Sequence, residues 1–214
     1  MSSDSGRALP RRPVLASSDW IEAHGGSRPG PAEVTEVAHQ TAAIIVGTGR
    51  AAHDPDVTVR LVHIVDDLGL STVADLWSAR PARSLPGALW RLYALREWVR
   101  RAPVQASREY AAGIRFTDVA HVVAGIAEPP RPEELQRVAD QILAGVFDGD
   151  LAVALERASA FCTVIAAGRA ELAHDTDVAD PEGASGLTRT ASAMLTTGED
   201  LRACASLWRS GDLD

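Results

Sequence analysis

Positive charge and aromatic rings concentrate in residues 80–115 of an otherwise acidic chain. Eight arginines face two glutamates there, a net charge of +6, although the whole chain carries −8. The aromatic residues in or beside this stretch are Trp77, Trp90, Tyr93, Trp98 and Tyr110. Guanidinium groups pair with carboxylates and phosphates through parallel hydrogen bonds, and Trp, Tyr and Arg are enriched at interface hot spots. The band therefore predicts a binding site for an acidic partner.

The central part of this band has the pattern of one helix, with an aliphatic side for the core and other sides that carry arginine and aromatic residues. We predict that an acidic protein surface contacts Trp90, Arg91, Tyr93, Arg96, Trp98, Arg100 and Arg101. On this hypothesis, replacing Arg96 and Arg100 by Glu abolishes partner binding without lowering the melting temperature. If the C-terminal segment covers Trp90 and Trp98, or if the arginines pair with the chain's own acids, the band is structural instead.

Nucleic-acid binding is the second hypothesis for the same band. Residues 68–101 contain Gly69 and then Ser84-Leu-Pro-Gly87, which resembles the helix-hairpin-helix modules that bind the DNA backbone. In those modules, amides at a helix N-terminus hold a phosphate, and the neighbouring arginines would add charge. The segment departs from the pattern because Ala88 stands where a second glycine is usual.

Two enzyme hypotheses rest on short motifs. His63, Asp66 and Asp67 have the i, i+3, i+4 spacing that places three side chains on one helix face, as weak candidates for a metal-dependent hydrolase. Residues 43–52 contain Gly47-Thr-Gly49 after an apolar run, which matches part of a dinucleotide-binding fingerprint. Pro55 follows too soon for the crossover helix that this fingerprint needs. The alternative to the metal site is that the histidines cap a helix or lie on the surface. The alternative to the dinucleotide fingerprint is that its two glycines lie within a packed helix.

Composition excludes several kinds of chemistry. The chain has no lysine and no asparagine, so a Schiff-base lysine, a P-loop lysine and an N-glycosylation site are ruled out. Cys162 and Cys204 lack metal-ligand spacing and are expected to remain unpaired in a reducing compartment. The opening residues carry no apolar segment, and no apolar run is long enough to cross a bilayer. We expect a cytoplasmic protein that has no membrane segment and binds no cofactor.

The elements that position these residues are predicted to be helices throughout. Residues 1–30 are rich in Ser, Gly, Pro and Arg and predict a disordered tail, and residues 31–210 predict a single helical domain. Pro132-Glu-Glu supplies an acidic first turn, and Gly149-Asp150 joins a C-cap to an N-cap, so 132–173 should form an antiparallel hairpin. Further helices are predicted at 31–53, 55–68, 71–77, 84–101, 104–112 and 187–208, the last with a break near 197–200.

Two stretches carry a wider resemblance that covers most of residues 31–173. They are Ser84-Leu-Pro-Gly-Ala-Leu-Trp-Arg-Leu-Tyr-Ala-Leu-Arg-Glu-Trp98, and Phe147-Asp-Gly-Asp-Leu-Ala-Val-Ala-Leu-Glu-Arg-Ala158 onward through Gly168-Arg169-Ala170. They resemble an uncharacterised all-helical family of high-GC actinobacteria. The resemblance implies a helical fold and a GC-rich source, and the absence of lysine and asparagine, whose codons are A-rich, favours the same source. It implies no activity and no site.

The sequence therefore predicts an all-α bundle of about seven or eight helices. A protein-interaction or regulatory module is favoured over an enzyme, with an acidic protein surface as the partner. Nucleic acid is the alternative partner, and self-association into an oligomer stays open.

Overall fold

Ten α-helices and one short 3-10 turn follow one another in the part of the chain that the structure describes. The computed structural model describes residues 30–126 and 130–214. The predicted tail at 1–30 lies outside these residues, apart from Gly30. The α-helices are α1 (Pro31–Ala52), α2 (Pro55–Val62), α3 (Ile64–Leu68), α4 (Leu70–Trp77), α5 (Leu85–Arg101), α6 (Pro103–Gly113), α7 (Asp118–Ala124), α8 (Pro132–Asp148), α9 (Leu151–Thr176) and α10 (Pro181–Ser210). No β-strand occurs in the described residues, and the predicted all-α fold is confirmed.

Local sequence signals explain where these helices begin. Proline occupies one of the first two positions in six of them, where its missing N–H costs no hydrogen bond. The Ser84 hydroxyl accepts from the amide of Gly87 at 3.3 Å, and the Asp150 carboxylate accepts from the amide of Ala152 at 2.8 Å. Asp150 is the N-cap that the sequence predicts, and Ser84 caps the helix predicted to begin at that residue. The hairpin of α8 and α9 therefore forms at the expected position.

Three boundaries differ clearly from the prediction, and one of them is the start of α10, which lies at Pro181 instead of residue 187. The expected helix at 55–68 divides at His63, which has φ −94° and ψ 8°, into α2 and α3. The expected break near 197–200 is absent, because α10 runs unbroken for 30 residues. Gly198 lies in the middle of α10, where an added Cβ would stand 3.1 Å from the carbonyl oxygen of Ser159 on α9. That glycine serves close helix packing instead of ending the helix.

The core is built around α9, which is buried along most of its length. The long helix α10 packs along it, and the turn between them is the short segment 177–180, where Val178 is 97% exposed. The helices α6, α7 and α8 cover other sides of α9, while α5 packs against α1, α4, α8 and α10. Gly113 on α6 and Gly168 on α9 allow the backbones to touch: a Cβ at Gly168 would lie 1.7 Å from the carbonyl oxygen of Glu109.

By length and composition alone, α9 could cross a membrane. The most apolar 18-residue window of this helix is 72% buried against the rest of the protein, which is what the core helix of a soluble protein also shows. A single helix of this kind is weak evidence for a membrane span.

Candidate functional site

The helix α5 divides the predicted binding residues between two of its sides. Tyr93, Arg96 and Arg100 face α2, α3 and α8, while Trp90, Arg91 and Trp98 face α10. The division follows from helical geometry, since residues three or four positions apart share a face. The two sides have different surroundings.

Tyr93 and Arg96 lie in the interior, each 1% exposed. The Tyr93 hydroxyl donates to the carbonyl of Leu61 at 2.6 Å, and its ring lies 6.2 Å from that of Trp77. Burial raises the pKa of Tyr93 well above its usual range, so the phenol stays a neutral donor. Neither side chain presents its polar group to a partner. The sequence places both on the outward part of α5, but α2, α3 and α8 cover them.

A charge cluster surrounds the buried Arg96 guanidinium, and we define it as His63, Asp66, Arg96, Arg100 and Asp140. Arg96 Nε donates to Asp140 Oδ1 at 2.6 Å, and its Nη2 lies 3.1 Å from His63 Nδ1 and 3.9 Å from Asp66 Oδ2. Arg100 Nη1 donates to Asp66 Oδ1. These bonds join α5 to α3 and α8. The acidic partners of two predicted binding arginines thus come from the same chain.

The charges of this cluster lower the pKa of Asp66 below its ordinary range. The largest cause is its hydrogen bond with His63, whose Nδ1 lies 2.7 Å from Asp66 Oδ2, and the neighbouring Arg100 and Arg96 act in the same direction. The Arg100 guanidinium correspondingly has a raised pKa, because Asp66 bonds to it. Exposed Arg101 pairs with Glu97 one turn earlier on α5, at 2.6 Å.

The weak metal candidates do not form a cation site in this arrangement. His63 and Asp66 meet, but two guanidinium groups, from Arg96 and Arg100, stand where a metal ion would be needed. Asp67 is exposed. Among the described residues, no group of three or more His, Cys, Asp and Glu side chains is placed to hold a metal ion.

The other side of α5 borders a cleft of about 400 Å³ between α5, α9 and α10. We call it the aromatic cleft and define it by the residues that line it: Trp90, Arg91, Ala94, Leu95, Trp98, Arg169, Thr190, Ala193, Met194 and Thr197. Trp90 and Trp98 are half-buried, with their inner edges packed on the core, so α10 covers them only in part. No Asp or Glu occurs among these lining residues, all of which are described.

Arg169 holds the floor of the aromatic cleft in place. It is 8% exposed, and its Nε donates to Glu109 Oε2 at 2.7 Å while its Nη1 donates to the carbonyl of Thr190 at 3.2 Å. Its guanidinium carbon lies 4.9 Å from the centre of the Trp98 ring, a cation–π distance. These contacts tie α6, α9 and α10 to the indole and fix its orientation.

Arg91 supplies the second positive charge of the cleft. Its Nη1 donates to the carbonyl of Gly87 at 2.9 Å, and among the described residues it makes no ion pair with a carboxylate. In contrast, Arg96, Arg100 and Arg101 each form an ion pair with a carboxylate of the same chain. Arg91 is therefore the predicted binding arginine whose charge the fold leaves available.

The N-terminus of α5 does not offer free amides to a phosphate. The amide of Leu85 donates to the backbone carbonyl of Asp214 at 2.8 Å, and that of Gly87 to the Ser84 hydroxyl. Pro86 has no N–H, so the first turn is satisfied within the chain. An added Cβ at Gly87 would lie 1.9 Å from the carbonyl oxygen of Pro81, and this glycine therefore serves local packing. The N-terminus of α5 therefore lacks the free amides with which a helix-hairpin-helix module would hold a phosphate.

The partial dinucleotide fingerprint at 43–52 lies inside α1. Gly49 is buried against Phe147, where an added Cβ would stand 2.8 Å from the phenylalanine Cβ. This fingerprint requires a strand before its glycines, and the described part of the chain contains none. The strand that the fingerprint needs is therefore missing from the described residues, and of the two glycines Gly49 serves helix packing while Gly47 is exposed.

Comparison with protein-family models, with curated proteins and with solved structures gave no match. The site has to be judged from its own chemistry. Sequence reasoning missed two of its residues, Arg169 and Asp140. The available signal for Arg169 was an arginine within the small, apolar stretch 165–170 of α9, since a buried charge requires a partner.

Proposed function

We propose that this protein is an interaction module that binds an acidic segment of a protein partner in the aromatic cleft. One observation supports the proposal most strongly: two indole rings and two guanidinium groups, from Trp90, Trp98, Arg91 and Arg169, line one cleft without a carboxylate among the described lining residues. A carboxylate reaching between the rings would meet Arg91 as a hydrogen-bond donor, while Arg169, already paired with Glu109, holds the Trp98 ring in place.

Desolvation and charge both favour the binding of an acidic segment in the aromatic cleft. The half-buried indoles provide flat apolar surface, on which an aliphatic or aromatic side chain of the partner can pack. A charge-assisted hydrogen bond gains strength when that surface excludes water. Tyr93 and Arg96 belong to the scaffold in this proposal, and Trp90, Arg91 and Trp98 make the contact. A cytoplasmic location is part of the same proposal and accords with two unpaired cysteines.

The test measures fluorescence anisotropy of a labelled ten-residue peptide of alternating Glu and Leu, and of its Gln counterpart. We expect the Glu peptide to bind and the Gln peptide to bind at least tenfold more weakly. Arg91→Glu and Trp90→Ala should each weaken binding at least tenfold. Arg101→Glu is the matched control, since it makes the same charge change at an exposed residue of α5 outside the cleft.

Equal losses in Arg91→Glu and Arg101→Glu would contradict the proposal, because they would indicate a response to net charge alone. Labelled single-stranded DNA, titrated beside the peptide at low and near-physiological salt, tests the nucleic-acid alternative. Phosphate contacts release counterions, so binding to DNA that falls steeply with salt while the peptide does not bind would favour that alternative.

A further inference from the structure

A second concave surface lies between α1 and the end of α10, beside the first residue of α5. This α1 groove has a volume of about 760 Å³. Its lining residues are His39, Gln40, Ala43, Val46, Gly47, Arg50, Ala51, Leu85, Trp208, Leu213 and Asp214. Most of these are apolar or small, and Ala43, Gly47 and Ala51 are exposed along one line of α1. An added Cβ at Gly47 would meet no atom within 4 Å, so the groove is open at its centre.

We propose that the α1 groove binds a segment of the same chain, Asp19-Trp20-Ile21-Glu22. Trp20 and Ile21 are the adjacent bulky apolar residues nearest to Gly30, where the described chain begins. An indole packed at Gly47, beside the Trp208 ring, would fill the open centre and remove both aromatic surfaces from water.

The length of the connecting chain fits this arrangement. Ile21 precedes Gly30 by nine residues, and an extended chain of that length spans about 30 Å. The groove extends along α1 from His39 to Ala51. At about 1.5 Å per helical residue, His39 lies roughly 13 Å and Ala51 roughly 31 Å beyond Gly30. The segment can therefore turn back over α1 and reach Gly47 and Arg50 without disturbing the helix.

Charge supports the same placement. Asp19 and Glu22 flank the apolar pair on both sides. The groove offers Arg50, whose guanidinium carbon lies 5.4 Å from the centre of the Trp208 ring, and His39 nearer the start of α1. With the segment running back along α1, Asp19 meets Arg50, and Glu22, about 10 Å further along the extended segment, lies at the level of Ala43, one helical turn from His39. A tethered segment also has a high effective concentration, so modest contacts suffice to keep it bound.

The test is a disulfide-trapping experiment on the full chain. Glu22→Cys is combined with Ala43→Cys, which lines the groove, or with Val37→Cys as the matched control. Val37 is 42% exposed on the same helix and lies closer to Gly30, but it is outside the groove. The native thiols need no removal, because burial raises the pKa of Cys162 to about 12 and that of Cys204 to about 11.

We expect the 22–43 pair to form an intramolecular disulfide at least tenfold faster than the 22–37 pair under the same mild oxidant. Adding Trp20→Ala and Ile21→Ala should remove that difference, and so should Gly47→Glu, which fills the groove and repels Asp19. Equal rates for the two pairs would overturn the proposal, since tether length alone would then explain the reaction. So would a disulfide between two chains, which would assign the groove to a second copy.

Discussion

Arg96 Nε donates a hydrogen bond to Asp140 Oδ1 at 2.6 Å, and this ion pair connects α5 to α8 through a guanidinium that is 1% exposed. The sequence places Arg96 in a band of binding arginines, whereas its geometry makes it part of the framework. Breaking a buried ion pair leaves a charge without its partner. The expected phenotype of a substitution there is therefore a loss of stability.

Replacing Arg96 by Glu should lower the free energy of unfolding by about 3 kcal/mol, because Asp140 and Asp66 would then face a third carboxylate. Urea denaturation followed by circular dichroism measures the change. Arg101→Glu introduces the same charge on an exposed side chain and should alter stability by less than about 0.5 kcal/mol. Similar values for the two variants would mean that the charge cluster contributes little to the fold.

Asp66→Asn should destabilise the protein in a pH-dependent manner. The pKa of Asp66 is lowered in the folded state, mainly by its bond to His63, so the folded protein binds that proton less tightly than the unfolded chain does. The stabilisation is present above the ordinary aspartate pKa of about 3.9 and disappears as the pH falls through the lower folded-state value.

For this partly exposed carboxylate, solvent screening limits the expected loss to about 1 kcal/mol or less at pH 7. Urea denaturation at a series of pH values should show the difference between Asp66→Asn and the wild type shrinking below about pH 4. The exposed neighbour Asp67 provides the control substitution Asp67→Asn. A deficit for Asp66→Asn that stays constant down to pH 2 would contradict the linkage.

Gly168→Ala should destabilise strongly although alanine favours helices. The added Cβ would lie 1.7 Å from the carbonyl oxygen of Glu109, so α6 and α9 must separate, at a cost of about 3 kcal/mol. Gly186→Ala on α10 is the matched comparison, because its Cβ meets no atom within 4 Å and alanine stabilises a helix by about 1 kcal/mol relative to glycine. Thermal unfolding should shift in opposite directions for the two variants, and a shared direction would refute the close packing.

The two cysteines should not react with a thiol reagent in the folded protein. Both are buried, and burial raises the pKa of Cys162 to about 12 and that of Cys204 to about 11, so very little thiolate exists at pH 8. Titration with a chromogenic disulfide should detect no thiol before unfolding and both after addition of guanidinium chloride. Rapid labelling of either thiol in the native state would show that α9 or α10 opens locally.

The helical signals in the sequence were strong wherever a cap, a proline and an apolar stripe coincided. Asp150 caps α9 as predicted, α5 begins where proline follows Ser84 by two positions, and the hairpin of α8 and α9 follows from the residues between Pro132 and Thr176. Glycine was a weak signal for where a helix ends. Gly198 resembles a helix end in the sequence, but its lack of a side chain serves the contact with α9, which only the tertiary structure reveals.

The candidate site was predictable in location but only partly in composition. Helical periodicity identifies α5 and its aromatic residues, yet it cannot say which neighbours cover Tyr93 and Arg96. Those neighbours come from α2, α3 and α8, and contacts between distant segments leave no local pattern in a sequence. Arg169 enters the cleft for the same reason, since its partner Glu109 lies 60 positions earlier in the chain.

The four-residue turn between α9 and α10 provides a position for attaching the protein to a sensor surface or a fluorophore. Val178 projects fully into solvent there, at 97% exposure. Thr190, the nearest part of the aromatic cleft on α10, lies about 15 Å along the helix from Asp180, and the α1 groove is lined by the far end of that helix. A label coupled at this turn leaves both surfaces accessible, so one immobilised preparation can report on both.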